Sequence, residues 1–257
     1  MSVRTFEYSG IQQLVVDNLG EGSILVEAGA APDKVEGALD AGDDTFLADA
    51  HIQQAGQALR ISLPQGFWRS TTADLKLRVP VGLAFVIKTG SADVAFGVDI
   101  GGSKIMTGSG DIRIASAADL DCSTGSGNIH ISELTGRGAR ISTGSGHVAI
   151  DSASCPISVK SGSGHIDVSS LQRSELQAST GSGEVVVSST TGSIDVRSAS
   201  GAITVGVADR LAVWLDLSSV SGRVGLGLEA INQPEPGEPY ISIRARTASG
   251  EIGVIRA

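Results

Sequence analysis

Aromatic residues, cysteines and long apolar runs are all scarce in this chain. Of its 257 residues, 4% are aromatic and two are cysteine, whereas glycine occurs 34 times. Two cysteines are too few for a disulfide framework, so we expect Cys122 and Cys155 to be separate free thiols. No stretch approaches the roughly 18 apolar residues of a membrane-spanning helix, and we therefore expect no membrane insertion.

The N-terminal residues also lack the apolar run of a secretory signal peptide. The sequence begins Met1-Ser2-Val3-Arg4-Thr5-Phe6-Glu7, in which no two apolar residues are adjacent. Few cysteines and no export signal together predict a cytoplasmic protein, with a role at the cell surface left open.

Basic side chains are too few, and too scattered, to form a nucleic-acid-binding face. The formal net charge is −9, and the first 50 residues hold ten acidic and two basic side chains. That segment therefore carries −8 of the net charge, and the rest of the chain is nearly neutral. Because nucleic-acid binding depends on clustered Lys and Arg, we expect no nucleic-acid partner.

What the chain does contain is a repeated phrase, clearest at Thr107-Gly108-Ser109-Gly110-Asp111-Ile112-Arg113-Ile114. Copies begin at positions 89, 107, 124, 143, 161, 180, 198, 219 and 247. Self-similarity at a nearly fixed period of about 18 residues is typical of a repeat architecture. The second half of each copy alternates apolar and polar residues, and another alternating run precedes each copy. Alternation of this kind predicts two short strands per repeat.

Two strands per repeat predict an all-β fold, a single-chain β-solenoid (β-helix) of short two-strand coils. We expect residues 81–257 to form the solenoid, with each coil lying on the preceding one. Residues 1–80 show no clean repeat, and residues 46–57 are ambiguous. We expect this acidic leader to be a β-strand cap, since an uncovered first coil would pair with another chain.

Serine and glycine recur at fixed places where the two strands of a coil meet. These residues are expected to form a structural corner ladder: Ser109, Gly110, Ser126, Gly127, Ser145, Gly146, Ser163, Gly164, Ser182 and Gly183. A sharp corner favours glycine, which reaches positive φ without a Cβ penalty. Stacked serine hydroxyls are expected to satisfy the corner's backbone groups. A phosphate-binding loop is disfavoured, because each copy is followed by a strand rather than a helix.

One outward column offers a weak candidate for metal binding. His147, His165 and Glu184 occupy equivalent positions in successive repeats. Two imidazoles and a carboxylate on neighbouring strands could hold zinc, but flat strands space ligands poorly for tetrahedral closure. Asp93 and Asp111 could be paired carboxylates for glycoside chemistry, but no cleft is visible around them. We therefore predict no metal, no cofactor and no catalytic residue.

An insertion rich in proline and glutamate interrupts the late repeats at residues 229–239. Proline and glycine break strands, and a loop that projects from a regular stack is a candidate contact surface. The residues predicted to contact a partner there are Asn232, Glu235, Glu238 and Tyr240. Trp214 lies on an alternating run nearby and is expected to cover an outer face.

One stretch of the sequence resembles a known family. It reads Leu77-Arg78-Val79-Pro80-Val81-Gly82-Leu83-Ala84-Phe85-Val86-Ile87-Lys88-Thr89-Gly90-Ser91-Ala92-Asp93-Val94 and is followed by serial Thr-Gly-Ser-Gly phrases. It is similar to the bacterial putative-adhesin family of β-strand-repeat proteins, a domain of largely unknown function. The resemblance covers residues 77–257, and residues 11–63 loosely match the family's leading strands. It implies a β-helix-like fold and no enzymatic activity.

Three functions follow as hypotheses. The first is a non-enzymatic, adhesin-like module or scaffold that binds an unidentified protein partner. The second is self-association into a scaffold resembling bactofilins, which stack β-helices end to end. The third, and least favoured, is a glycan-active β-helix enzyme, which would need a deep groove lined by convergent carboxylates.

Overall fold

The computed structural model describes residues 2–29, 31–64, 72–208, 212–228 and 240–257. The predicted contact residues Asn232, Glu235 and Glu238 lie outside these ranges. The chain forms two compact units, Met1–His130 and Ile131–Ala257. Both units consist almost entirely of short strands, as the alternating pattern predicts.

The first unit contains eleven complete strands in its described residues and one short helix. The strands are β1 (Ser2–Ser9), β2 (Gln13–Leu19), β3 (Glu21–Ala28), β4 (Lys34–Ala41), β5 (His51–Ala55), β6 (Ala58–Ser62), β7 (Thr72–Val79), β8 (Ala84–Thr89), β9 (Asp93–Ile100), β10 (Ser103–Thr107) and β11 (Ile112–Thr124). The helix is α1 (Asp44–Asp49). Strand β12 (Ile129–Thr143) begins at the end of this unit and continues into the second.

Parallel pairing stacks the coils of the first unit. Strand β8 pairs with β10, and β9 pairs with the first half of β11. The earliest coil in the sequence, formed by β2 and β3, does not lie at the end of this stack. Instead β2 lies between β6 and β8, and β3 lies between β7 and β9. The first coil in sequence is therefore enclosed by two later ones.

Antiparallel strands and the helix cover the outermost coil of this unit, which is formed by β6 and β7. Strand β5 pairs antiparallel with β6, β4 pairs antiparallel with β7, and β1 pairs antiparallel with β4. Helix α1 begins after Asp43, whose carboxylate accepts a hydrogen bond from the Thr45 N–H, and it buries Phe46 and Leu47. Arg4 of β1 donates hydrogen bonds to the carbonyl oxygens of Leu47 and Ala50, which ties the cover together.

The second unit contains the rest of the repeats. Its strands after β12 are β13 (Val148–Ala153), β14 (Ile157–Ser161), β15 (Ile166–Leu171), β16 (Glu175–Thr180), β17 (Val185–Thr190), β18 (Ser193–Ser198), β19 (Ile203–Val207), β20 (Ala212–Ser219), β21 (Val224–Gly227), β22 (Tyr240–Thr247) and β23 (Ile252–Arg256).

Equivalent residues of successive coils form apolar columns inside the second unit. One column runs Ala139, Ile157, Leu176, Ile194, Ile243, Leu215. The opposite column runs Val148, Ile166, Val185, Ile203, Ile252, Val224. All but the last member of each column are buried. The core is thus a double row of aliphatic side chains, and stability comes from contacts between adjacent coils.

The spatial order of the last two coils reverses their order in the sequence. Strand β22 pairs in parallel with both β18 and β20, and β23 pairs in parallel with both β19 and β21. The β22/β23 coil therefore lies between β18/β19 and β20/β21. The expectation that each coil lies on the preceding one is wrong here, as it is for β2 and β3.

The all-β solenoid of short two-strand coils is confirmed, apart from the six-residue helix α1. The division at residues 80 and 81 stays a prediction, although strands on its two sides are paired directly, β2 with β8 and β3 with β9. Cys122 and Cys155 are both buried and form no disulfide, as predicted. Burial raises the pKa of the Cys122 thiol to about 12, so this thiol is protonated at neutral pH.

Candidate functional site

Six corners are closed by a hydrogen bond between the first residue of the repeated phrase and the glycine three positions later. The Gly110 N–H donates to the Thr107 hydroxyl at 3.0 Å, and the Gly164 N–H donates to the Ser161 hydroxyl at 2.7 Å. These hydroxyls belong to buried residues. The serines of the predicted ladder, such as Ser109 and Ser163, are instead exposed at the tip of the corner. The buried hydroxyl column is therefore one that the sequence reading did not single out.

The corner glycines are required for a reason other than positive φ. Positive φ among the described glycines occurs at Gly10, Gly22, Gly56, Gly82, Gly136 and Gly138. The corner glycines are absent from this group, so the predicted reason is wrong. A Cβ on Gly164 would instead overlap the carbonyl oxygen of Gly146 in the adjacent coil, and one on Gly183 would overlap that of Gly164. At these two positions glycine lets the corners stack at the spacing of the strands.

The outward column beside the corners satisfies backbone groups of the next coil. Asp93 accepts a hydrogen bond from the Asp111 N–H at 2.8 Å, and Asp111 accepts one from the Asn128 N–H at 2.9 Å. Asp111 is also paired with Arg113 at 3.2 Å. The two carboxylates considered for glycoside chemistry are thus engaged in holding the stack together.

In the second unit the same column carries the weak metal candidates. The His147 Nε2 lies 3.2 Å from an oxygen of Asp167, and the Glu184 N–H donates to the His165 Nδ1 at 3.2 Å. The two imidazole centroids are 6.2 Å apart. In the part of the chain that the structure describes, no three His, Cys, Asp or Glu side chains converge as metal ligands. The two imidazoles therefore contact different groups, Asp167 for His147 and the Glu184 backbone for His165.

A ladder of alternating charge crosses the three outermost coils of the second unit. Arg244 of β22 lies opposite Asp195 of β18 on one side and Asp216 of β20 on the other. Its guanidinium is 3.0 Å from Asp216 and 3.7 Å from Asp195. Arg246 adds a second contact to Asp216 at 2.9 Å. If β20 lay directly on β18, Asp195 would face Asp216, and this like-charge contact disfavours the sequential order.

The charge ladder predicts that the stability of the folded protein depends on pH in the acidic range. The hydrogen bond from Arg246, followed by that from Arg244, lowers the pKa of Asp216 below its ordinary value of 3.8. Because the folded-state pKa is depressed, this stabilisation is present above pH 3.8 and is lost as the pH falls through the folded-state value. We expect Asp216→Asn to lower the melting temperature at neutral pH and to converge with the wild type in acid.

Thermal unfolding followed by circular dichroism between about pH 7 and pH 2.5 measures this convergence. The matched control is Asp99→Asn, at an exposed strand position of the first unit. A melting-temperature difference for Asp216→Asn that stays constant into acid would contradict the ion-pair role of this carboxylate.

Exposed aromatic residues lie beside this ladder on the outer face of the same sheet. Six of the nine large apolar side chains that are exposed in the described residues belong to the last two coils of the second unit. Trp214 is 49% exposed and Tyr240 is 59% exposed. Tyr240 lies opposite Ala212, two residues before Trp214 on the adjacent strand, so the two rings are diagonal neighbours.

We name Trp214, Tyr240, Arg244 and Arg246 the aromatic–arginine patch. Sequence reasoning identified Trp214 as an outer-face residue and Tyr240 as a contact residue, but it missed both arginines. The alternation Tyr-Ile-Ser-Ile-Arg-Ala-Arg in β22 places them outward. Their meeting with β20 depends on the reversed coil order, for which the repeat spacing gives no signal.

The first unit has a surface groove of about 590 Å³ on the sheet formed by β1, β4, β7 and β3. Its lining includes Phe6, Glu36, Lys76 and Arg78. Its lining carries three glutamates and two basic residues, so no single charge selects a ligand. No helix in the described ranges is long and apolar enough to cross a membrane.

Stacked two-strand coils with hydrogen-bonded corners define the class of the protein, which is a β-solenoid. A family model described as Toastrack DUF4097 matches residues 83–255, about two thirds of the sequence. The chain belongs to this family, which confirms the family resemblance drawn from the sequence.

Two solved structures are similar to this chain. A "putative lipid binding protein" from Parabacteroides distasonis is 16% identical, with a TM-score of 0.60 over 99% of this chain and 97% of the other. A "putative adhesin" from Bacteroides fragilis is 14% identical, with a TM-score of 0.49 over 99% and 97%. The likeness to the Parabacteroides distasonis protein establishes a shared fold alone. No curated protein matches the sequence.

Proposed function

We propose that this protein is a non-enzymatic, adhesin-like β-solenoid that binds a protein partner through the aromatic–arginine patch. The exposure of Trp214 and Tyr240 next to Arg244 carries the proposal. Trp, Tyr and Arg are the residue types that dominate binding energy at protein interfaces. In a chain with 4% aromatic residues, two exposed rings on adjacent strands are a notable concentration.

The charged side chains of the patch are also suited to binding the surface of another protein. Arg244 and Arg246 share Asp216, so their guanidinium groups are held in place rather than free to rotate. Held side chains lose less conformational entropy when a partner binds. The outer face of β18 adds Arg197, which is paired with Asp195 at 3.4 Å. Three arginines against two aspartates favour a partner that presents carboxylates.

The absence of enzymatic activity is part of this proposal. It is supported by the roles of Asp93 and Asp111, whose carboxylates accept backbone hydrogen bonds from the next coil. A general acid or nucleophile needs a carboxyl group that is available to the substrate. A cytoplasmic location stays a prediction, and identifying the partner would show in which compartment the protein acts.

Alanine substitutions at the two rings test the patch. We expect Trp214→Ala and Tyr240→Ala each to weaken partner binding by about 2 kcal/mol, roughly 30-fold, because exposed aromatic anchors carry most of an interface's energy. Cross-linking and mass spectrometry in lysate identifies proteins held by the wild type, and titration with the identified partner then gives the affinity.

The matched control is Met106→Ala, which removes an exposed apolar side chain from the first unit. Both rings are largely solvent-exposed, so unchanged circular dichroism and melting temperature should accompany the lost binding. If Trp214→Ala and Tyr240→Ala both bind the same partner with unchanged affinity, the patch is not the binding surface.

A further inference from the structure

A row of basic side chains crosses the outer face of the second unit and reaches the aromatic–arginine patch. Lys160 of β14, Arg197 of β18 and Arg246 of β22 occupy one register position on their sheet. Ser179 of β16 lies between Lys160 and Arg197, and Arg197 lies directly opposite Arg246. All three basic side chains are exposed. We name Lys160, Ser179, Arg197 and Arg246 the basic row.

The first member of the row, Lys160, has no acidic neighbour on its sheet. The residues directly opposite it on the two adjacent strands are Ser142 and Ser179. The next outward side chain on β14 is Ser158, and the diagonal neighbour on β16 is Gln177. Hydroxyl and amide groups of this kind are neutral, so the ammonium charge of Lys160 is left uncompensated on this face.

Two guanidinium groups face each other at the other end of the row. Like charges directly opposite each other destabilise a strand pair. Arg197 is paired with Asp195 at 3.4 Å and Arg246 with Asp216 at 2.9 Å, but Arg244 also contacts both carboxylates. Two carboxylates are therefore shared among three guanidinium groups. A further carboxylate from outside would offset the remaining charge, and the planar guanidinium binds a carboxylate through two hydrogen bonds.

The other sheet of the same unit has the opposite charge. Its outward side chains include Asp151 of β13, Asp167 of β15, Glu184 before β17 and Glu251 before β23, and Arg223 before β21 is the basic residue of this set. An anionic ligand is thus repelled by this sheet and attracted to the sheet with the basic row. In a chain with a net charge of −9, this separation favours the row as a surface for an acidic partner.

We propose that the basic row binds an extended acidic segment of the protein partner, with Asp or Glu side chains on Lys160 and on the pair of Arg197 and Arg246. This inference rests on the proposed function, because it defines the chemistry of the partner that the aromatic–arginine patch binds. The row is continuous with that patch, since Arg246 belongs to both. From Lys160 to Arg246 the row crosses three strand spacings, about 14 Å, which about five extended residues cover.

The carboxylates beside the row favour a protein segment over a nucleic acid. Asp195 and Asp216 lie next to Arg197 and Arg246. A nucleic acid carries a negative charge at every nucleotide, so part of its backbone would meet these aspartates. A peptide can place a carboxylate on the arginine pair and a neutral side chain beside the aspartates. The segment lies across the strands, so side chains rather than backbone groups of the sheet hold it.

Fluorescence anisotropy of a labelled peptide of about eight alternating Glu and Ser residues, titrated with the full chain, tests the row. We expect binding that weakens as the NaCl concentration rises from about 50 to 500 mM, because salt screens exposed charges. The corresponding peptide of Gln and Ser should not bind. Lys160→Ser and Arg197→Ser should each raise the Kd about fivefold, as expected for the loss of one exposed ion pair.

Arg223→Ser is the control for these variants, because it removes an exposed arginine from the opposite sheet of the same unit. The Kd of this variant should equal that of the wild type. All three substituted side chains are exposed, so circular dichroism should show an unchanged fold. Failure of the Glu–Ser peptide to bind at about 50 mM NaCl, or equal weakening by all three variants, overturns the proposal.

Two further arms distinguish the row from its alternatives. Trigalacturonate presents carboxylates on a sugar backbone, and tighter binding of it than of the peptide, sensitive to Lys160→Ser, overturns the assignment to a protein segment. The partner identified in lysate separates the row from the proposed function. If Trp214→Ala weakens that partner and the two row variants do not, the row fails and the proposed function stands. If the row variants weaken it and Trp214→Ala does not, the row stands and the aromatic contact fails.

Discussion

Replacing Gly164 by alanine is expected to lower the free energy of unfolding by about 3 kcal/mol, a large effect for a single methyl group. A Cβ at this position would overlap the carbonyl oxygen of Gly146 in the adjacent coil. The obstacle is backbone, which cannot rotate away as a side chain can. The corners must therefore separate, which also strains the hydrogen bond from the Gly164 N–H to the Ser161 hydroxyl.

The matched control is Gly253→Ala, in the interior of β23. A Cβ there would meet no atom within 4 Å, and its φ is not positive. Alanine at such a site should be neutral or stabilising by about 0.5 kcal/mol, because it restricts the unfolded chain. Urea denaturation of both variants measures the difference. Equal stability of Gly164→Ala and Gly253→Ala would show that the corners do not depend on close stacking.

Removing residues 229–257 is expected to unfold the β20/β21 coil as well as deleting β22 and β23. Strands β20 and β21 pair with β22 and β23 and with no other described strand. The deleted coil buries Ile243, Ile252 and Val254. Burial of each such side chain contributes roughly 1.5–3 kcal/mol, so the loss is comparable to the whole stability of a small domain.

Hydrogen exchange of residues 212–227 in the truncated chain measures this effect. We expect exchange at close to the unfolded rate there, while β14 to β17 keep their protection. Direct pairing of β20 with β18 would bring Asp195 against Asp216, so adding Asp216→Lys to the truncated chain should restore some protection. Full protection of residues 212–227 in the truncated chain without that substitution would contradict the role of charge in setting coil order.

The solenoid could be predicted from the sequence because each repeat carries its own strand pattern within about 18 residues. Alternation in Ile112 and Ile114, and in the equivalent pairs of later copies, identifies strands and their inward faces without knowledge of their neighbours. The corner glycines were found for the same reason. The physical reason for these glycines could not be predicted in this way, because a Cβ on Gly164 would meet the carbonyl oxygen of Gly146, 18 residues earlier in the chain. A single phrase read by itself suggests a turn, and only the stack shows the close approach.

The spacing of the repeats does not predict the order in which the coils stack. Intervals of 21 and 28 residues before the last two copies indicated insertions, not a change of neighbours. The signal that existed lay in the charges: Asp195, Asp216 and Arg244 occupy the same outward column, and only the reversed order alternates their signs. The aromatic–arginine patch was partly missed for this reason, since Arg244 meets Asp216 only when β22 lies beside β20.

The reversed order of the last coils sets a conflict between synthesis and assembly. Residues 212–227 leave the ribosome before residues 240–256, at a time when the position beside β18 and β19 is still vacant. A chain that folded coil by coil as it emerged would fill that position with the wrong coil. In that misplaced arrangement Asp195 would face Asp216, which like-charge repulsion disfavours, whereas in the native order Arg244 lies between the two carboxylates. We therefore expect the charge ladder to favour the later segment of the nascent chain over the earlier one at this position.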